Sequence, residues 1–169
     1  MSGQNPTHPD LFVSVAGTGE FSISLRATKR FEINEILAAV TGSRQAERTY
    51  QTVQCGPAQE DNLQLDSDLV YANHSCEPNT FWDLTSHGIS EWHVRAVKTI
   101  EVGDEITFFY PSTEWDMEQP FNCRCRTASC LGHIAGAKHL ASSKLENRGG
   151  INTWIMRLSE EKDEGRVEQ

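Results

Sequence analysis

No stretch of this 169-residue sequence approaches the run of roughly 20 apolar residues that a membrane-spanning helix needs. Its start, Met1 to Pro9, is polar and has neither the basic cluster nor the apolar stretch of a secretory leader. An intracellular protein, cytoplasmic or nuclear, with no membrane partner is therefore expected. Basic charge is scarce: Lys and Arg number 15 against 24 Asp and Glu, a formal net charge of -9. Proteins that bind nucleic acid directly concentrate Lys and Arg to displace counterions, so no direct nucleic-acid partner is expected. The excess of acid leaves room for a basic partner such as a lysine-rich peptide, and equally for simple solubility. There is no internal repeat and no low-complexity tract. The cysteines number five, an odd count that makes a poor disulfide framework. The length suits one domain with a core of its own, so no staple is needed.

Three of the cysteines, Cys123, Cys125 and Cys130, crowd one short polar segment, Phe121-Asn122-Cys123-Arg124-Cys125-Arg126-Thr127-Ala128-Ser129-Cys130. Thiolates this close on a turn can wrap a tetrahedral zinc ion, and Arg124 and Arg126 favour the ionised thiols. Three thiolates leave one corner open, with Cys55, Cys76 and His133 as candidates to fill it.

Hydrophobic patterning predicts mainly short strands. Leu11 to Val15, Phe21 to Leu25, Tyr50 to Cys55, Trp92 to Val97 and Glu105 to Tyr110 read as strands, the last ended by Pro111. Phe31 to Val40 fits either a short strand or a helical turn. Residues 41–68 are otherwise polar. Ile134 to Leu145 and Ile151 to Leu158 carry apolar residues at helical spacing, with Gly149-Gly150 breaking the chain between them. The first ten residues and Ser159 to Gln169 read as loose tails. A mostly β or α+β domain with short helices at its C-terminal end follows.

Three further segments stand beside the cysteine run: the turn Gly17-Thr18-Gly19, the segment Asn73-His74-Ser75-Cys76-Glu77-Pro78-Asn79, and Gly103-Asp104-Glu105-Ile106-Thr107-Phe108-Phe109-Tyr110. Taken singly each is bland: a tight turn, a polar turn with a structural histidine, and an aromatic core strand. In this chain order, and followed by CxCxxxxC, they resemble the SET-domain family of protein lysine methyltransferases. The resemblance runs from residue 17 to residue 130 and is that of a small stand-alone member.

The resemblance implies a mostly β fold, the β-clip of small sheets with a pseudoknot. It implies a SET domain over 11–120, a post-SET zinc segment over 121–133 and a helical extension over 134–158. It implies S-adenosylmethionine and Zn2+ as cofactors and a lysine of a basic protein or peptide as substrate. Cys76 becomes the fourth zinc ligand beside Cys123, Cys125 and Cys130, and Cys55 a spare thiol. Gly17, Thr18, Gly19, Glu20, Phe21, Tyr71, Asn73, His74 and Leu131 are implied around the methyl donor. Tyr110 matches the catalytic tyrosine, and Phe108 the position that influences how many methyl groups are added. The sequence departs from the family pattern at Val70-Tyr71-Ala72, where the family often has Arg-Phe-Ile, at Phe109, and at Glu20-Phe21-Ser22. These departures, with the short 41–68 region, keep in view an enzyme on the same scaffold turned to a small molecule, with or without methyl transfer, and a zinc-stabilised binding module without catalysis. Trp115 and Met117 read either as lining a substrate channel or as packing beneath the zinc loop. Glu114, Asp116 and Glu118 read either as attracting a cationic substrate or as a solvated loop.

Overall fold

The computed structural model describes residues 6–19, 22–40, 43–85 and 88–165. In chain order its elements are β1 (Phe12–Ala16), β2 (Ile23–Ala27), β3 (Ile36–Ala39), β4 (Ser43–Gln45), β5 (Thr52–Gln54), β6 (Asn62–Leu65), β7 (Asn73–His74), β8 (Thr80–Asp83), β9 (His93–Ala96), β10 (Thr107–Phe108), β11 (Phe121–Asn122), β12 (His133–Ile134) and α1 (Thr153–Asp163). Single turns of 3-10 helix join several of them. The strands form small separate sheets, the mostly β architecture expected from the sequence.

β1 and β2 are an antiparallel hairpin around the glycine turn. Phe12, Leu25 and Ala27 point into the core, while Val13 and Val15 stay exposed. Phe31 to Val40 resolves as β3, which pairs with β9, and β9 with β8. Residues 43–65 form a second three-stranded sheet in the order β4-β6-β5. Sequence patterning finds only one strand here. The apolar residues this sheet buries are few, Val53, Leu63 and Leu65, too sparse for alternation to show.

At the centre, two remote segments run side by side. β7 pairs with β10 in parallel, Asn73 opposite Thr107 and His74 opposite Phe108. Asn79 locks the crossing: its Oδ1 accepts from the Thr107 N–H at 2.9 Å and its Nδ2 donates to the Glu105 carbonyl at 2.8 Å. The aromatic strand is shorter than expected. It stops at Phe108, and Tyr110–Ser112 make a 3-10 turn, because Pro111 has a φ suited to a first helical turn and no N–H for a ladder.

The C-terminal region differs more. Ile134 to Leu145 is not a helix. Ile134 sits in β12, and only isolated 3-10 turns follow, at Ala137–His139 and Ser142–Lys144. Gly136 explains the break: its φ is +110°, and a Cβ there would lie 2.5 Å from the Trp115 carbonyl oxygen. The segment follows the main chain of 114–117 instead, through Ala137 N–H to Glu114 O at 2.9 Å and Met117 N–H to Ala135 O at 2.9 Å. Among the described residues the single α-helix is α1. It runs on to Asp163 with Ser159 fully buried, where a loose tail was expected from Ser159. The start is also less loose than expected: Thr7 and His8 both donate their backbone N–H to the Asp68 carboxylate at 2.8 Å.

Asn152, just before α1, is fully buried. Its Oδ1 accepts from the Leu84 N–H at 2.9 Å, and its Nδ2 donates to the carbonyls of Trp82 at 2.9 Å and Ser112 at 3.0 Å. One side chain thus joins the helix to β8 and to the turn that carries Tyr110.

Candidate active site and metal centre

The Sγ atoms of Cys76, Cys123, Cys125 and Cys130 all lie within 4.8 Å of one another. β11 and β12 pair antiparallel, and the loop between them carries the three clustered cysteines up to Cys76 at the end of the central crossing. Arg126 and Gly132 take left-handed φ values of +58° and +76°, which curl the loop around one point. A zinc ion bonded to four thiolates at about 2.3 Å has S···S edges of about 3.8 Å. The Cys76–Cys123 separation of 3.9 Å matches. Backbone N–H groups point at the sulfurs, Leu131 at Cys76 Sγ (3.3 Å) and Cys125 at Cys123 Sγ (3.4 Å), as suits thiolates. The donor set is compatible with one zinc ion.

Burial pushes the Cys76 thiol up to about 11. At Cys125 burial also opposes ionisation, but hydrogen bonds from Thr127 outweigh it and bring the thiol down to about 6. The other candidates for the fourth corner lie elsewhere. Cys55 is half-buried beyond β5, its thiol pushed up to about 11 by burial and then by the nearby Asp61 and Glu114 carboxylates. His133 is exposed, with Nδ1 at 3.2 Å from Asn122 Oδ1.

His74 connects this centre to Tyr110. Its Nδ1 accepts the Tyr110 backbone N–H at 3.2 Å, which leaves the proton on Nε2, 3.3 Å from Cys76 Sγ. Burial, and then the charge of Arg148, hold the imidazole down at about 4, so it stays neutral at physiological pH. Tyr110 donates its hydroxyl to the Ala72 carbonyl at 3.2 Å. Burial, then the Glu114 and Glu105 carboxylates, raise its pKa, so the phenol remains protonated. Aromatic rings surround it, with centroids at 4.7 Å for Phe108, 5.3 Å for His74 and 6.0 Å for Phe121. Phe108 is itself stacked on Trp82 at 4.6 Å.

The hairpin that carries the glycine turn meets this cluster at Asn73, whose Nδ2 donates to the Ile23 carbonyl of β2 at 3.0 Å and to Glu105 Oε1 at 2.9 Å. β1 and β2 also pack against the 68–71 turn that holds Tyr71 and Val70. A Cβ at Gly17 would meet the Ser22 carbonyl oxygen at 2.8 Å, so that glycine is required by the hairpin itself. A Cβ at Gly19 would meet nothing, which leaves an open surface there. Thr18 is exposed on the same turn, while Glu20 and Phe21 lie outside the described residues. Leu131 is packed at the core edge, next to the Cys76 sulfur that its N–H contacts. The β1–β2 hairpin, the aromatic strand and the cysteine loop thus each touch 71–76, at Asn73, at Asn73 and His74, and at Cys76.

Of the acidic linker, Glu114 is turned inward. Its Oε1 accepts from the Gln54 N–H at 2.8 Å and the Thr113 hydroxyl at 3.2 Å, and burial lifts its carboxyl to about 7. Asp116 pairs with Lys138 at 3.3 Å and His139 at 3.0 Å. Glu118 is exposed. Trp115 packs on the core with the Lys162 ammonium 5.8 Å from its ring.

Sequence reading missed three participants. Trp82 stands behind Phe108, Phe121 closes against His74 and Tyr110, and Arg148 bridges the zinc loop to Cys76. Only Phe121 had a sequence cue, its place beside the first clustered cysteine.

A family model described as the SET domain matches residues 22–111. The chain is 41% identical over 143 residues to the methyltransferase flvH of Aspergillus flavus, covering 84% of this chain and 78% of that protein. It is 36% identical over 77 residues to the histone-lysine N-methyltransferase ash1 of Drosophila melanogaster, covering 45% of this chain but 4% of that much longer protein. Among solved structures, KRYPTONITE in complex with mCHG DNA and SAH superposes with a TM-score of 0.53 at 19% identity, covering 69% of this chain and 27% of that one. That likeness is one of fold. With the family model spanning more than half of the chain and a relative aligned over most of it, the chain belongs to the SET-domain family of methyltransferases.

Proposed function

We propose that the protein is an S-adenosylmethionine-dependent N-methyltransferase acting on the side-chain amine of a lysine in a basic protein or peptide. The observation that carries this reading is Tyr110: a protonated phenol, anchored on the Ala72 carbonyl, walled by Phe108, His74 and Phe121, at the crossing of two motif segments. When bound, S-adenosylmethionine supplies a sulfonium methyl: the amine lone pair makes the new C–N bond while the C–S pair stays on sulfur. Gly17, Thr18, Gly19, Tyr71, Asn73, His74 and Leu131 would hold the cofactor. The aromatic walls strip water from the incoming amine, which favours its neutral, nucleophilic form. Tyr110 orients the amine, and alignment of this kind supplies much of the rate in a displacement. Phe108 has no hydroxyl to anchor a water molecule, so room is left for more than one methyl group. Cys76, Cys123, Cys125 and Cys130 would hold zinc and fix Phe121 and Leu131 against the site.

A second reading, methylation of a small-molecule amine, has its own support. A relative that aligns over most of the chain, flvH, is named simply a methyltransferase, whereas ash1 and Suv4-20, named for histone lysine, align over less than half of it. The three-stranded sheet of 43–65 is also small for a peptide groove.

Calorimetric titration of the zinc-loaded protein with S-adenosylmethionine tests the common part, with a single saturable site expected. No binding at millimolar cofactor refutes both readings. Labelled methyl transfer to a lysine-rich peptide, against transfer to free diamines, then separates them.

A further inference from the structure

Gly149-Gly150 reads in sequence as a chain break, yet the segment Asn147-Arg148-Gly149-Gly150 is packed against the site. Asn147, Gly149 and Gly150 have φ values of +59°, +85° and +140°. A Cβ at Gly149 would lie 2.9 Å from Val97 Cγ2 and 3.3 Å from Pro78 Cγ; one at Gly150 would lie 2.6 Å from the Phe81 ring. The two glycines thus let the main chain press directly on the 73–79 segment and on β8. The left-handed residues on either side of Arg148 turn its side chain inward. Its Nη1 lies 2.7 Å from the Cys76 carbonyl, 3.0 Å from the Ser129 carbonyl and 3.0 Å from the Ser129 hydroxyl. Its Nε donates to the Lys144 carbonyl at 3.2 Å, and its guanidinium carbon lies 5.5 Å from the centre of the Phe109 ring. Ser129 is held from the other side as well, its N–H donating to Glu77 Oε1 at 3.0 Å.

We propose that Arg148 is a positioning residue: a latch, carried by the C-terminal segment, that closes the cysteine hairpin over Cys76 and sets how long the metal stays bound. One cation joins the segment that supplies Cys76 to the residue next to Cys130. It sits within reach of a cluster in which four thiolates and one Zn2+ carry a net charge of −2, a charge arginine is suited to offset. Outer partners of metal ligands are commonly worth about 10–100-fold in metal affinity. The hairpin carries Phe121 and Leu131, so the latch also holds one wall of the site. The metal part rests on the reading that the four cysteines bind zinc.

The test compares wild type, Arg148→Met, Arg148→Lys and, as a control, Arg157→Ala on the exposed face of α1. Zinc loss to excess chromophoric chelator is followed in the full-length protein, alongside backbone hydrogen exchange of residues 121–134. Arg148→Met is expected to release zinc about 10-fold faster and to raise exchange around Ser129 to Leu131, with Arg148→Lys between it and wild type and Arg157→Ala unchanged. If Arg148→Met does not fold, Arg148→Lys carries the comparison. Folded Arg148 variants with release within twofold of wild type and unchanged hairpin exchange overturn the proposal. A wild type that holds no zinc refutes the zinc reading, and hairpin exchange alone then decides the latch.

Discussion

Replacing Asn152 by alanine is expected to cost about 3 kcal/mol of folding stability, more than its place at a helix start suggests. An N-cap residue usually contributes ~1 kcal/mol by accepting from the first turn of its helix. Here the side chain makes no such bond and reaches the other way. Alanine leaves the buried Leu84 N–H without its acceptor and strips the Nδ2 donor from the Trp82 and Ser112 carbonyls. The Ser112 carbonyl keeps the Asn152 backbone N–H at 3.2 Å, so its loss is partial. An unsatisfied buried polar group costs roughly 1–3 kcal/mol, and with one donor lost outright and two acceptors weakened the sum is about 3 kcal/mol. Asn152→Asp preserves the acceptor for Leu84 but turns a carboxylate toward two carbonyl oxygens. It should be at least as damaging at pH 7 and milder in acid, where the carboxyl regains a proton to donate. Urea unfolding by tryptophan fluorescence measures both. A loss below ~1 kcal/mol for the alanine variant, with α1 still docked, would show that these hydrogen bonds do not hold the helix to the site.

Glu114 gives a pH-dependent prediction. Its carboxyl rises from 4.5 to about 7 on folding, so the folded state binds this proton more tightly. Stability from this group is full below pH 4.5 and declines by about 3 kcal/mol as pH rises to about 7, with no further loss above. Glu114→Gln keeps an oxygen for the Gln54 N–H and should flatten that slope, raising stability at pH 8; an unchanged slope in the variant would assign it to another group. For the metal, about one zinc per chain is expected, with loss of cooperative unfolding on chelation. Cys76→Ser should lower occupancy sharply, whereas Cys55→Ser should leave it intact. Full occupancy in Cys76→Ser would remove Cys76 from the ligand set.

Much of the site was legible in the residues because its chemistry tolerates few alternatives. Thiols at CxCxxxxC spacing, the NHSCEPN run and an aromatic strand ending in Tyr110 specify partners by type, and the fold brings them to one place. The β9 strand was legible through alternation that matches one buried face, Val94 and Ala96. What was not legible depends on tertiary contact. Residues 134–145 carry a helical pattern, but Gly136 must pass within touching distance of the Trp115 carbonyl, and the segment extends to do so. Asn152 sits at the N-cap position of α1, and its role shows only in its burial between β8 and the 110–112 turn. Gly149 and Gly150 read as punctuation and Arg148 carries no cue, because their partners, Cys76, Ser129 and Phe81, are remote in sequence.

The central claim is that Tyr110 directs methyl transfer to a lysine amine. Incubating the zinc-loaded protein with [methyl-13C]S-adenosylmethionine and a lysine-rich peptide, then locating the label by mass spectrometry, tests it most directly. The account predicts Nε-methyl-lysine, including products with more than one methyl, and its loss by at least about 100-fold in Tyr110→Phe with the fold intact, the scale of a removed positioned catalytic group. Transfer that survives this substitution, or a label found only on a non-lysine acceptor, would contradict it.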